Sequence, residues 1–356
     1  MSLNSVKLTY GQPMRGGDGL CESLASLYSA RQAGITKEDI LTTNGGTAAN
    51  HIVLSALLSP DDHVICQYPT YEPLYQVPKS LGAEVTFWKA DPGQKWQLNI
   101  DELRTLLKPN TKLIIINNPG NPTGAIVPKP VLEQILDVAE EKNLTVLSDE
   151  IFRPLFHSIL PSDDDFPPSA INVGYKKVVV TGSLSKPYSL PGIRAGWIAS
   201  RNKDILEACR RMKQYTTFTV SRLDEAVAAE ALSDRCIHAL LARNIRLCQT
   251  NLELMQGFIE QHNWACSWVK PVAGATAMVK FHKMGKPVHD EDFCAKLQEK
   301  AGILLCPASL CFGGNADFRG YVRVGLGADH AGFKAGLEAL ARFMEEEYDS
   351  VSTAPR

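Results

Sequence analysis

"TGSLSKPYSLPGIRAGW", residues 181–197, sets a single lysine among small hydroxyl residues, glycines and one arginine. The run just before it, "KKVVV" (176–180), has the β-branched composition of a buried strand. Lys186 therefore follows the end of a strand. It is either a surface lysine on a turn or an amine that is needed for chemistry.

The composition is that of a soluble globular protein: of 356 residues, 44% are hydrophobic and 21% are charged. A chain of this length can bury a large core and usually forms two domains. The net charge of −2 gives no electrostatic reason to expect a nucleic acid or a membrane as a partner.

The nine cysteines form no CxxC pair, and the eight histidines lack metal-ligand spacing. This pattern disfavours a metal site and a disulfide framework, and it is typical of a reducing cytoplasm. No apolar run approaches the ~18 residues that a membrane helix needs, and no secretory leader opens the chain. The first residues, "MSL" (1–3), are compatible with a vector remnant, so the natural N-terminus could lie elsewhere.

Short apolar runs alternate with amphipathic stretches from about residue 40 onward. A stretch such as "PKPVLEQILDVAEEKN" (128–143), with prolines near its start, predicts a helix between two strands. Buried strands separated by helices indicate an α/β fold with a mainly parallel central sheet covered by helices. The runs rich in Val and Ile predict strands at 63–67, 84–89, 112–117, 144–148, 177–182 and 195–200.

The pattern becomes helical from about residue 205 to about residue 260 and then mixes both element types. Strands are predicted at 275–281, 302–306 and 320–325, and helices at 290–301 and 329–347. This part indicates a smaller α+β domain. We expect a large domain over residues 37–244 and a small domain formed by residues 1–36 and 245–356.

Ligands of parallel sheets bind where the strands end, and five loops at such positions carry unusual residues. In "TTNGGTAAN" (42–50), Gly46 and Thr47 begin an apolar helix whose free N–H groups suit a phosphate, although a simply capped helix has the same pattern. In "YPTYEPLY" (68–75), Tyr71 can stack on a flat ligand or fill the core.

The third loop, "NNPGNPTG" (117–124), is a rigid turn that can aim the Asn121 amide, or an ordinary turn. In "SDEIF" (148–152), Asp149 either caps a helix or pairs with a protonated ring nitrogen. In the fifth loop, Arg194 beside Ser183 either forms an ion pair or holds a phosphate dianion. Together these loops offer every group that pyridoxal 5′-phosphate needs, with Lys186 bound to it as a Schiff base.

Four motifs together resemble the class I/II aminotransferases, which are pyridoxal-phosphate enzymes of fold type I. They are "NNPGNPTG", "SDEIF", "GSLSKPYSLPGIRAGW" and "GYVRVGLG" (320–327), and they follow the family's order over nearly the whole chain. The segments "GGDGLCESL", "YPTYEPLY" and "SDEIFRPLF" also resemble a branch that includes capreomycidine-synthase-like cyclases.

The resemblance implies how the cofactor ring and the substrate are bound. Lys186 would form the Schiff base and later move the proton, and Asp149 would keep the pyridinium nitrogen protonated. Asn121 would hydrogen-bond the ring's O3′ and also face the substrate, while Tyr71 would stack on the ring. Arg323 would bind the substrate's α-carboxylate through a fork-shaped pair.

The resemblance also implies a phosphate site and a homodimer. Gly46, Thr47, Ser183 and Arg194 would bind the phosphate. Tyr10, in "LTYGQP", matches a tyrosine that reaches the phosphate of the neighbouring subunit. The partners implied are therefore an amino acid, a 2-oxo acid and a second copy of the chain.

Two positions depart from the family pattern. Phe152 stands where a tyrosine usually donates a hydrogen bond to O3′, so we expect weaker stabilisation of the deprotonated Schiff base. Cys21 stands where an arginine usually follows the leucine of "GGDGLCESL". Contacts of the N-terminal segment with the substrate site and the dimer are therefore open.

Transamination is the leading functional hypothesis. Elimination, replacement or cyclisation of an amino acid uses the same residues, so a lyase or cyclase is the alternative. A regulator that binds the cofactor without catalysis is a remote alternative, because such regulators add a basic DNA-binding segment. Arg153 and Arg319 could bind a second carboxylate of the substrate or form ion pairs at the rim.

Overall fold

The computed structural model describes residues 6–10, 14–29, 34–312 and 317–355. Residues 1–3, compatible with a vector remnant, lie outside these ranges. Two sheets organise the chain, one of seven strands and one of five.

The larger sheet follows the order β1-β7-β6-β5-β4-β2-β3. Strands β3, β2, β4, β5 and β6 run parallel, whereas β7 is antiparallel to both β6 and β1. The prediction of a mainly parallel sheet is confirmed, while β1 was not predicted, because its four residues are too few to show a pattern. The strands are β1 (Ile40–Thr43), β2 (His63–Tyr68), β3 (Glu84–Lys89), β4 (Thr111–Asn117), β5 (Thr145–Asp149), β6 (Val178–Ser183) and β7 (Gly196–Ser200).

Helices cover both faces of this sheet, as predicted. Along β4, Ile114 and Ile116 contact one apolar cluster, while Leu113 and Ile115 contact the other. Successive side chains of a strand point to opposite faces, so covering both faces requires an unbroken apolar run. The α-helices between residues 18 and 261 are α1 (Asp18–Ser26), α2 (Gly46–Leu57), α3 (Pro73–Ser80), α4 (Ile100–Thr105), α5 (Lys129–Glu141), α6 (Lys203–Tyr215), α7 (Arg222–Ala231) and α8 (Ile237–Gln261).

The second sheet is antiparallel, with the order β10-β9-β12-β11 and with β8 pairing β9. It packs with α9 and α11 around a separate core that includes Phe281 and Phe293. Its elements are β8 (Cys266–Trp268), β9 (Thr276–Lys283), β10 (Lys286–Pro287), α9 (Asp290–Ala301), β11 (Cys306–Pro307), α10 (Ala308–Cys311), β12 (Tyr321–Gly325) and α11 (His330–Glu346).

The predicted strand at 302–306 is wrong for most of its length. Residues 302–305 belong to no strand, and only Cys306 of that run lies in β11. Leu304 is 76% exposed, so the apolar character of this run does not reflect burial between covered faces. We keep the division into residues 37–244 and residues 1–36 plus 245–356 as a proposal; Leu20 and Leu24 of α1 pack in the core of the larger sheet.

The register of the larger sheet brings polar residues together at one edge. Asn117, at the end of β4, pairs with Asp149 at the end of β5, and Asp149 pairs with Thr181 of β6. Ser183 then ends β6. The carboxyl ends of adjacent parallel strands thus place these side chains side by side. In the part of the chain that the structure describes, no helix has both the length and the hydropathy needed to cross a bilayer.

Candidate active site

A cavity of about 840 Å³ opens at the carboxyl ends of β4, β5 and β6 and extends toward the second sheet. It brings together every predicted site residue except Tyr10. The predicted residues that line it are Gly46, Thr47, Tyr71, Asn121, Asp149, Ser183, Lys186, Arg194 and Arg323.

Asp149 is a charged residue of the cavity wall and is 1% exposed. Burial raises the pKa of its carboxyl to about 6 from the usual 3.8, against the effect of two donors. The N–H of Ile151 donates to Oδ1 at 3.0 Å, and Nδ2 of Asn50 donates to Oδ2 at 2.8 Å. No cation among the described residues forms an ion pair with this carboxylate, so a cationic ligand atom would complete it.

Sequence reasoning missed the residues that hold Asp149. Asn50 lies on α2 and is 1% exposed, and its Oδ1 accepts a hydrogen bond from the Thr181 hydroxyl at 2.7 Å. Asn117 donates from Nδ2 to the backbone carbonyl of Asp149 at 3.0 Å. The available signal was an amide side chain, Asn50, directly before the apolar run "HIVLSALL" (51–58) of the same helix, because a buried amide must find partners.

The start of α2 is built as an anion cradle. Gly45, at φ 88°, precedes α2, and a Cβ there would collide with the guanidinium of Arg194. A Cβ on Gly46 would collide with Ile151 and approach Ser183. The first N–H groups of α2 have no acceptor inside the helix, and the helix dipole favours an anion at this point.

Ser183 and Arg194 complete this cradle. The Ser183 hydroxyl is buried and lies 2.9 Å from the Oγ of Ser185, a residue that also lines the cavity. Arg194 donates to the carbonyl of Pro191 at 2.9 Å and forms no ion pair among the described residues. Most of its N–H donors are therefore available for a phosphate group, which guanidinium binds with matching geometry.

Lys186 lies in the loop after β6, and its side chain is accessible from the cavity. Surrounding protein groups desolvate the amine, and the charges of Arg323 and Arg194 oppose its protonation, so its pKa is lowered. Asn244 of α8 donates to the carbonyl of Pro187 at 2.7 Å and fixes the residue after the lysine. A lowered pKa increases the fraction of neutral amine, which is the nucleophilic and basic form.

Tyr71 and Asn121 lie at the sides of the cavity. The Tyr71 hydroxyl is 3.4 Å from that of Thr47, which places the tyrosine near the anion cradle. The N–H of Asn121 donates to Oδ1 of Asn117 at 2.7 Å, so the loop after β4 is fixed by its own side chains.

Arg323 projects from β12 toward Asn121. Its Nη1 donates to Oδ1 of Asn121 at 3.2 Å, and its Nη2 donates to Sγ of Cys306 at 3.3 Å. Its guanidinium also lies 5.1 Å from the ring centre of Phe312. These three contacts orient the guanidinium, as expected of an arginine that binds a carboxylate through two parallel hydrogen bonds.

Three residues that the sequence analysis considered, Tyr10, Arg153 and Arg319, do not line the cavity. Tyr10 is 79% exposed and packs edge-on against Phe218 at 5.5 Å. Arg153 is partly buried and forms an ion pair with Glu150 at 3.1 Å, so it is a structural residue rather than a carboxylate site. Arg319 donates to the backbone carbonyl of Pro355.

Both departures from the family pattern are visible. Phe152 is 5% exposed and lines the cavity without offering a donor.

Cys21 is fully buried, and burial raises the pKa of its thiol to about 12. Nearby, the 1% exposed Lys213 donates to the carbonyl of Met14 at 2.9 Å, and burial lowers its pKa to about 8. A lysine from α6 therefore supplies a positive charge near Cys21.

The residues fit pyridoxal 5′-phosphate on structural grounds. One cavity is lined by the anion cradle, by the carboxylate of Asp149, which has no cationic partner, and by the Lys186 amine, whose pKa is lowered. Within the described residues, no group of three or more His, Cys, Asp or Glu side chains could hold a metal ion.

Comparisons with known proteins show the family of the chain. The model of the family "Aminotransferase class I and II" matches residues 3–340. Capreomycidine synthase from Streptomyces vinaceus is 28% identical over 90% of this chain and 78% of its own length. A solved PLP-dependent aminotransferase from Streptococcus suis is 38% identical, with a TM-score of 0.86 over 96% of this chain and 85% of its own.

A solved PLP-dependent cyclase, OrfR, is 28% identical, with a TM-score of 0.84 over 97% of this chain and 86% of its own. The chain belongs to the class I and II aminotransferase family. It is a fold type I, pyridoxal-phosphate-dependent transferase.

Proposed function

We propose that this protein is an aminotransferase that moves an amino group between an amino acid and a 2-oxo acid, with the cofactor held on Lys186 as a Schiff base. The observation that carries the proposal is the shared cavity of Lys186, Asp149 and Arg323. It combines an amine of lowered pKa, a buried carboxylate and an oriented guanidinium. The Streptococcus suis aminotransferase, 38% identical, supports it.

The chain's own residues divide the work. When bound, pyridoxal phosphate supplies an aldehyde that condenses with amines and a ring that withdraws electrons from the substrate Cα. Asp149 would hold the proton of the ring nitrogen by charge, since its buried carboxylate lines the cavity. Gly46, Thr47, Ser183 and Arg194 hold the phosphate and so fix the ring's position. General base catalysis by Lys186 would contribute a factor of roughly 10²–10⁴ to the rate.

Lys186 and Arg323 act on the substrate. Lys186 would take the proton from the substrate Cα in its neutral amine form, whose share of the population the lowered pKa increases. Arg323 binds the α-carboxylate and so directs Cα toward that amine. Asn121 keeps the guanidinium in place through the 3.2 Å hydrogen bond. Tyr71, which lines the cavity, would pack on the ring face.

A cyclase or lyase is the second candidate. Two observations favour it: the 28% identity with capreomycidine synthase and the 28% identity with the solved cyclase. The residues that hold the cofactor and the carboxylate would serve both reactions. The difference lies in which group leaves the substrate, and this depends on the cavity wall, whose apolar lining includes Leu155, Leu247 and Leu305.

We further propose a cytoplasmic homodimer in which Tyr10 reaches the phosphate of the neighbouring subunit. The 79% exposure of Tyr10 and the 84% exposure of Tyr215 leave large aromatic surfaces that a second copy would cover. The nine free thiols are typical of a reducing compartment. Sedimentation of the holoprotein tests the dimer: a monomer that retains full activity contradicts it.

One experiment separates the two reactions. The holoprotein is mixed with a panel of amino acids while the cofactor absorbance and the product masses are recorded. For an aminotransferase we expect the aldehyde form to disappear and to return when a 2-oxo acid is added. A cyclase or lyase returns to the aldehyde form unaided and releases a cyclised or shortened product. Lys186→Ala should abolish both changes, whereas Lys176→Ala, at an exposed lysine, should abolish neither.

A further inference from the structure

The cavity wall contains a thiol next to the carboxylate-binding arginine. Cys306 and Arg323 stand opposite each other across the pairing of β11 with β12. Nη2 of Arg323 donates to Sγ of Cys306 at 3.3 Å, and Cys306 lines the cavity. Cys306 is thus a partly exposed thiol that faces the cavity and accepts a hydrogen bond from a guanidinium.

A second thiol lies directly beside the first. Cys311, at the end of α10, shares a hydrogen bond with Cys306. All nine cysteines lie in the described part of the chain, and six of them are buried. The three partly exposed cysteines are Cys236, Cys306 and Cys311, so two of the three form this pair.

The segment that carries both thiols also holds Arg323 in place. Phe312, one residue beyond Cys311, lies under the guanidinium at 5.1 Å. Asp290, buried on α9, anchors the segment by accepting from the N–H of Ser309 at 2.9 Å and from its hydroxyl at 2.7 Å. A covalent link between the thiols would therefore act on two of the three contacts that orient Arg323, those from Cys306 and Phe312.

We propose that Cys306 and Cys311 are an oxidation site at which a peroxide forms a disulfide and thereby weakens the binding of the substrate carboxylate by Arg323. The effect on the substrate rests on the role given to Arg323 in the proposed function. The oxidation itself does not depend on that role.

The chemistry balances with hydrogen peroxide as the oxidant. The Cys306 thiolate attacks one peroxide oxygen, the O–O bond breaks, and hydroxide departs. The Cys306 sulfur is then a sulfenic acid. The Cys311 thiolate attacks that sulfur, the S–O bond breaks, and a second hydroxide leaves. The two thiol protons convert the hydroxides to two waters, and the two sulfurs supply the two electrons.

The order of the two thiols follows from their surroundings. Burial and the neighbouring Cys306 thiol raise the pKa of Cys311, with Arg323 opposing this. Cys306 faces the cavity and the guanidinium, so it meets the peroxide first. Cys311 then resolves the sulfenic acid. In the disulfide, the Cys306 sulfur is drawn toward Cys311 and no longer accepts from Arg323.

The first readout is the covalent bond. The holoprotein is treated with hydrogen peroxide, remaining thiols are alkylated, and the protein is digested with trypsin. Cleavage after Lys300 and after Arg319 gives one peptide that contains both cysteines. We expect this peptide to lose two hydrogens and to resist alkylation until it is reduced with dithiothreitol. If both cysteines stay alkylatable or are oxidised singly, the proposal is overturned, whatever reaction the protein catalyses.

The second readout is amino-acid affinity, followed through the cofactor absorbance. The loss of one hydrogen bond to the guanidinium predicts affinity lower by about threefold to tenfold after oxidation, restored by dithiothreitol. Cys311→Ser should show no reversible loss, whereas Cys236→Ser should behave as the unsubstituted protein. A disulfide with unchanged affinity overturns the coupling to Arg323. If no amino acid changes the absorbance before oxidation, the proposed function fails, while the peptide mass still decides the thiol pair.

Discussion

The Nδ2 of Asn50 donates to Oδ2 of Asp149 at 2.8 Å, and Oδ1 of the same amide accepts from the hydroxyl of Thr181. These two hydrogen bonds connect α2 with β5 and β6 of the larger sheet, and all three residues are buried. It orients the carboxylate that we propose for the ring nitrogen. It also lowers the pKa of a carboxyl that burial otherwise raises.

Replacing Asn50 by leucine should weaken cofactor binding most strongly near neutral pH. Without the amide donor the pKa of Asp149 rises above about 6, and the neutral acid cannot pair with a cationic ring nitrogen. We expect about 10–100-fold weaker binding of pyridoxal phosphate, since a hydrogen bond to a charged group contributes about 1.5–3 kcal/mol. Equilibrium dialysis across pH 6–8 measures it. His51→Leu, at the neighbouring exposed position, is the control; equal affinity of both variants contradicts the account.

Asp149→Asn should stabilise the cofactor-free protein while it weakens cofactor binding. The folded pKa of Asp149 is about 6 and the usual value is 3.8, so the folded state holds the proton more tightly. Its contribution to stability is present below pH ~4 and is lost as the pH rises through ~6. At pH 7 the variant should therefore unfold with a free energy about 1–3 kcal/mol higher.

Denaturant unfolding of the cofactor-free proteins at pH 4 and pH 7 tests this sign. The two proteins should differ at pH 7 and converge at pH 4. A variant that is less stable at pH 7 by the same amount as at pH 4 would show that burial of the charge is not the dominant effect.

Arg323→Gln should raise the pKa of Lys186 and weaken amino-acid binding together. Burial is the main cause of the lowered pKa, and the charge of Arg323 is the next, so its removal shifts the pKa of the amine upward. Loss of the charge-assisted contact should weaken amino-acid affinity about 10–100-fold. Labelling of Lys186 in the cofactor-free protein, followed by mass spectrometry over pH 7–10, measures the first effect.

Arg319→Gln provides the matched control, because the Arg319 guanidinium donates to a backbone carbonyl outside the cavity. It should leave both the labelling profile and the amino-acid affinity as they are. An Arg319 variant that loses affinity to the same extent would transfer the carboxylate site from Arg323 to Arg319.

Phe152→Tyr should lower the pKa of the Lys186 Schiff base. Phe152 lines the cavity and has no donor, whereas a tyrosine hydroxyl could donate to O3′ and stabilise the deprotonated form. Absorbance titration of both holoproteins measures the two midpoints. Equal midpoints would mean that a residue at 152 does not reach O3′ in this protein.

The sequence predicts much of the larger sheet because both of its faces are covered. Each buried strand then needs an unbroken apolar run, and the run "KLIIIN" (112–117) corresponds to β4 almost residue for residue. The same reasoning fails at 302–306, where apolar residues such as the exposed Leu304 do not lie in a covered strand. Apolar composition alone does not distinguish these two environments.

The candidate site was predictable where one residue has a distinctive local pattern. Lys186, Asp149 and Arg194 follow recognisable strand ends, and all line the cavity. Asn50 and Cys306 were missed because their importance comes from partners distant in the chain: Asp149 lies 99 residues from Asn50, and Arg323 lies 17 residues from Cys306. Contacts of this kind depend on the tertiary fold.

Reduction of the protein with borohydride after incubation with pyridoxal 5′-phosphate tests the central claim most directly. Peptide mass spectrometry should find the reduced cofactor on Lys186, with Lys176 and Lys213 unmodified at stoichiometric loading. An adduct spread over several lysines, or none at Lys186, would contradict the assignment of this cavity as the cofactor site.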